Sequence, residues 1–107
     1  MQISNLYKIR IFNKIEDVCC QCVCETIGGD IDREYFYSIR KPTLGMAIAR
    51  GIAFVIMHDM YAMTYKEIAD RAKMGEKSVM MRVRIIREYI SNDALYSKIY
   101  NIIKERL

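Results

Sequence analysis

Apolar residues recur along most of this chain at the three- and four-residue spacing of one helix face, and the stretches between such runs are short. From Asn13 to Ile27, the residues Ile15, Val18, Cys22 and Val23 fall on one inner stripe. Gly28-Gly29 then ends the run, glycine being the common residue just past a helix end. Upstream, Ser4 to Phe12 suits a further helical piece, although Ile9-Arg10-Ile11 equally suits a strand. Asp32 is placed to cap a short helix through Tyr37, with Arg33 and Glu34 in its first turn. Ser38 to Lys41 makes a short basic connection, and Pro42 suits the first turn of the next helix. That helix, Thr43 to about Met60, is apolar on nearly every side, which predicts a central helix wrapped by the others. Arg50 is its exception: a charge in such a helix pairs with a partner or reaches out to a ligand.

Thr64 and Glu67 form a Thr-x-x-Glu capping box at the start of a helix that runs to about Lys73. Met74-Gly75-Glu76 makes a turn, with Gly75 expected to take up a positive φ, and a long helix follows from Lys77 to about Ser91. A last helix begins near Asn92 or Asp93. The pattern therefore predicts an all-α domain of five to six helices, with a helix-turn-helix between Thr64 and Ile90. No internal repeat, low-complexity tract or linker divides it, so residues 1–107 are expected to be one domain.

Composition narrows the class. Hydrophobic residues make up 52% of the 107 positions and there is one proline, which argues against disorder and against a turn-rich β protein. No apolar run approaches the ~18 residues of a membrane span. Lys8 and Arg10 break any signal-like stretch near Met1, so a cytoplasmic location is expected. The net charge is only +4, but it is unevenly spread. Asn13 to Glu34 holds two basic and six acidic residues, whereas Arg40 to Ser91 holds ten basic and five acidic ones. That segregation suits a polyanionic partner.

Cys19, Cys20, Cys22 and Cys24 crowd together at helical spacing. Cys20 and Cys24 share one face and Cys19 and Cys22 another, so one rigid helix cannot wrap all four around a metal. With no second cysteine cluster and with His58 far off in sequence, they are expected to be small buried apolar residues, not ligands. No metal or other cofactor is expected. His58 has no evident nucleophile or carboxylate partner and suits a helix C-terminal position, so an enzyme is not indicated.

The segment from Lys66 to Val79 carries the functional expectation. Apolar residues fall at Ile68, Ala72, Met74 and Val79, and Ala69 is small where a second helix must cross closely. At about 100° per residue, Val79, Val83, Ile86 and Ile90 face inward, while Lys77, Ser78, Met81, Arg84 and Glu88 face outward. A recognition helix enters the major groove N-terminus first, so Lys77, Ser78 and Met81 are the expected base contacts. Arg82 and Arg87 flank the stripe, within reach of phosphates.

In several features taken in order, the chain resembles the C-terminal DNA-binding domain of the bacterial DnaA replication initiator, a relative of the Trp-repressor fold. These are Gly28-Gly29-Asp30-Ile31-Asp32-Arg33-Glu34 with Tyr35-Phe36-Tyr37-Ser38, the basic pair Arg40-Lys41, the run Ala49-Arg50-Gly51-Ile52-Ala53, and Thr64 with Glu67-Ile68. The resemblance spans roughly residues 15 to 90. It implies double-stranded DNA as partner, Arg40 in the minor groove with Lys41 nearby, Arg50 supporting the DNA-facing surface, and Glu76, Lys77 and Ser78 at the start of the recognition helix. With Lys66, Met81, Arg82 and Arg84, these residues make up the candidate DNA-binding set. The stretch from Glu67 to Val79 is one residue shorter than in the initiators, and their Asp-His-Thr signature is missing. The initiator's own box is therefore not the expected target. No phosphate-binding loop accompanies the domain, so replication control, repression or a mobile-element role are the settings considered.

The alternative from another class is a helical protein-interaction module. Leu95, Ile99, Ile102 and Ile103 form a stripe on the last helix beside Tyr96 and Tyr100. That stripe either covers the core, with Tyr7, Ile9 and Phe12, or forms a homodimer interface.

Overall fold

The computed structural model describes residues 5–28, 31–38 and 42–107. Among these the chain is all-helical: α1 (Asn5–Ile27), a 3-10 turn (Arg33–Tyr35), α2 (Leu44–Asp59), α3 (Tyr65–Ala72), α4 (Glu76–Asn92) and α5 (Ala94–Arg106). α2 is the central element. Eleven of its residues, from Gly45 to Met57, are buried, and it lies against α1, α3 and α4, while α5 packs against both α1 and α4. Arg50 interrupts this apolar surface and is only partly buried.

Most boundaries follow their expected chemistry. Asp32 accepts the Glu34 amide at the 3-10 turn, and Thr43 accepts the Met46 amide at the start of α2. Thr43 is thus the N-cap of α2, which puts Pro42 one residue before the cap instead of in the first turn. Thr64 and Glu67 close the capping box of α3 in both directions, and Asp93 caps α5 through the amides of Leu95 and Tyr96. Upstream, the helical alternative for residues 5–12 prevails over the strand, and these residues join the predicted first helix as one 23-residue element. Phe12 on this added length is buried, which gives the extension a core contact.

The α3–α4 turn departs from expectation. Gly75 has φ −71° and serves as the N-cap of α4, which starts at Glu76, one residue earlier than the pattern suggested. Lys73 is the residue in the left-handed region, at φ 56° and ψ 46°. The amide of Met74 bonds back to the carbonyl of Ala69 at 3.0 Å, closing α3 in a Schellman arrangement whose left-handed position glycine usually fills. A side chain there strains the backbone by about 1 kcal/mol. Lys73→Gly should therefore raise stability by roughly 0.5–1 kcal/mol, part of the relief being offset by the greater freedom of glycine in the unfolded chain. Urea unfolding measures this directly, and no gain would mean that the turn relaxes without it.

Cys19, Cys20 and Cys22 are buried and Cys24 is exposed. Burial raises the Cys19 thiol well above its ordinary pKa and pushes Cys20 up to about 11, so both stay protonated at neutral pH. Among the described residues, no group of three or more His, Cys, Asp or Glu is placed to hold a metal ion, and no helix is long and apolar enough to cross a membrane.

Candidate nucleic-acid interface

α3 and α4 pack against each other through the residues that the spacing singled out. Ile68, Ala69 and Ala72 on α3 and Val79, Val83 and Ile86 on α4 are buried, while Met74 and Ile90 are partly so. α4 also lies close against α2. A Cβ placed on Gly51 would stand 2.6 Å from Cδ1 of Ile86, so the glycine makes room for the Ile86 side chain where the two helices meet. α4 is thereby locked inward along one face, and Lys77, Ser78, Met81, Arg82, Arg84 and Glu88 are all exposed. Glu76 lies exposed in the first turn of α4, where a carboxylate complements the helix dipole. Lys66 is exposed on α3. Arg40 and Lys41 fall outside the described residues.

Arg50 projects from α2 toward the same side. Its Nε donates to the Phe36 carbonyl at 2.8 Å, which ties α2 to the segment after the 3-10 turn. Arg50 and Arg82 line one small cleft together with Ala47, Gly51 and Phe54. Burial, and then the charge of Arg82, hold the Arg50 guanidinium below its usual pKa.

Internal pairing sorts the cations in a way that sequence order does not show. Arg71 and Arg33 both bind Glu16, Arg33 also binds Asp17, Arg87 binds Asp59, Arg106 binds Glu25 and Lys8 binds Glu67. Arg87 was expected to reach phosphates, but its Nε and Nη2 donate to the two oxygens of Asp59 instead. The fork is held across α2 and α4 and is therefore committed to the fold. In contrast, Lys66, Lys77, Arg82 and Arg84 make no ion pair among the described residues.

His58 sits in the last turn of α2, but its Nδ1–H donates to the Met63 carbonyl at 2.8 Å and its ring stacks on Tyr65. It fastens the α2–α3 loop to the start of α3 and does not bond the helix's own last carbonyls. On α5, Ile99 and Ile103 are buried in the core, while Leu95 is exposed. Sequence reasoning missed the apolar residues left outside on α4: Ile85 is 40% and Tyr89 47% exposed, four residues apart on one flank. The spacing of Met81, Ile85 and Tyr89 is the signal that could have found them.

Compared with models of known families, with curated proteins and with solved structures, the chain gives no match.

Proposed function

We propose that this chain is a sequence-specific double-stranded DNA-binding domain that presents α3 and α4 as a helix-turn-helix and reads the major groove with the N-terminal half of α4. The observation that carries this reading is the group of exposed, unpaired cations that α3 and α4 present outside their buried stripes. Arg71 on α3 and Arg87 on α4 are taken up by ion pairs, whereas Lys66, Lys77, Arg82 and Arg84 on the same two helices are exposed without carboxylate partners among the described residues. A helix locked along one face, with lysine, serine and methionine at its outer N-terminal end, has the donors and apolar contact that base edges require. The ordered motifs shared with the DnaA C-terminal domain support the same reading and suggest a stand-alone domain of that kind, acting in replication or transcription control.

Binding to mixed-sequence duplex, followed by fluorescence anisotropy at several salt concentrations, tests the proposal. The logarithm of affinity should fall against log salt with a slope of about −3 to −6, as expected for a handful of phosphate contacts. A flat response, or no binding at low salt, supports the second reading, a helical interaction module. Its specific support is the exposed apolar pair Ile85 and Tyr89 on α4, with Leu95 also exposed at the start of α5.

A further inference from the structure

Resting on the reading of this surface as a DNA interface, we propose that Arg50 and Arg82 together form a clamp for one backbone phosphate in the cleft between α2 and α4. The cleft has a volume of about 70 Å³. Taking roughly 30 Å³ per water in the liquid, that is room for about two waters, or for one tetrahedral oxyanion. Among the described residues, two guanidinium groups line it and no acidic residue does. The other described residues of its wall are Ala47, Gly51, Phe54, Met74 and Pro42, which supply shape and low polarity.

Two cations facing one cleft repel each other, and a phosphate between them removes that repulsion while accepting charge-assisted bonds from both. The positions are set in advance. The bond from Arg50 Nε to the Phe36 carbonyl fixes the plane of that guanidinium. The close approach of α2 and α4 at Gly51 and Ile86 fixes the distance between the helices that carry the two side chains. Arg82 is exposed and has no ion pair among the described residues, unlike Arg33, Arg71, Arg87 and Arg106, each of which holds a carboxylate.

The test is a scan in which each phosphate of a bound duplex is replaced in turn by a neutral methylphosphonate. One position should weaken wild-type binding about tenfold, the loss of one well-formed charge-assisted contact. At that same position Arg82→Gln and Arg50→Lys should each lose most of the penalty, because the contact is already impaired in them. Arg82→Gln is the decisive variant, since among the described residues its side chain makes no ion pair whose loss would unsettle the fold. If the two variants lose sensitivity at different phosphates, or if Arg82→Gln keeps the full penalty everywhere, the clamp is wrong while the DNA reading stands. If the wild-type protein binds no duplex even at low salt, the DNA reading fails and inorganic phosphate decides the clamp. Concerted shifts of the Arg50 and Arg82 Nε–H resonances in the wild type, with the Arg50 shift lost in Arg82→Gln, would keep it for another phosphate-bearing ligand. No shift at either residue would end it.

Discussion

Glu16→Ala should cost about 3–5 kcal/mol, the range for removing one partner from a buried ion pair. Against a total stability of about 5–15 kcal/mol for a domain of this kind, that leaves a protein close to unfolding at ordinary temperature. Glu16 is 0% exposed. Its Oε1 accepts from Arg33 and from Arg71, the latter at 2.8 Å, and its Oε2 accepts from the Tyr37 hydroxyl and from Arg71 Nε at 2.9 Å. Arg71 therefore grips the carboxylate with both prongs of its fork. One side chain thus joins α1 to the 3-10 turn, to the segment after it and to α3, its partners lying 17 to 55 residues along the chain.

Removing the carboxylate takes the shared acceptor from the part-buried Arg71 guanidinium and the Tyr37 hydroxyl and leaves an empty pocket between them, while Arg33 keeps Asp17. Burial first, and then the carboxylate beside it, hold the Tyr37 hydroxyl far above its ordinary pKa, so it stays protonated and its buried O–H needs an acceptor. Arg33→Ala should cost less, because Arg33 is half-exposed and Arg71 alone still satisfies both oxygens of Glu16. Urea unfolding of the two variants gives the ranking. Equal losses would show that the Arg33 arm carries as much as the central carboxylate. A small loss for Glu16→Ala would show that the pocket refills with water at little cost.

This network also marks where sequence reasoning stopped. The helices themselves were legible because each carries its own local signal: the apolar circumference of α2, the Thr64–Glu67 box and the Val79-Val83-Ile86 stripe need no knowledge of distant residues. The charge pattern was legible only as a count. Arg71 and Arg87 add to the basic total between Arg40 and Ser91, yet one is consumed by Glu16 and the other by Asp59. Conversely, Glu16, Asp17, Glu25 and Glu67 are neutralised by cations from other elements. Pairing across 28 or more residues depends on tertiary contacts that no periodicity encodes. The turn between α3 and α4 failed for a different reason. Glycine is the expected left-handed residue, and here Lys73 takes that conformation while Gly75 caps the next helix. Residue identity alone pointed one step too far along the chain.

On the DNA-binding reading, Lys77→Ala should cost about 1–3 kcal/mol on a preferred site and should flatten the preference at one or two base pairs. Lys77 is exposed in the first turn of α4, the end that enters the groove, and it makes no ion pair among the described residues, so its substitution removes little from the fold. Arg82, five residues along the same helix, stands on the flank beside Arg50 and should behave differently. Arg82→Ala should weaken all duplexes alike and reduce the log-log salt slope by about one unit, because a phosphate contact carries charge but no sequence information. The comparison starts from selection on random duplexes, to obtain a preferred site, and then measures both variants on that site and on a scrambled one over a salt series. Circular dichroism on each variant confirms that the fold is retained. If selection converges and Lys77→Ala changes neither affinity nor preference, α4 is not the reading helix. If Arg82→Ala instead changes preference at particular base pairs, the flank and the outer face have exchanged roles, and the helix lies in the groove rotated by about one residue from the orientation its buried stripe implies.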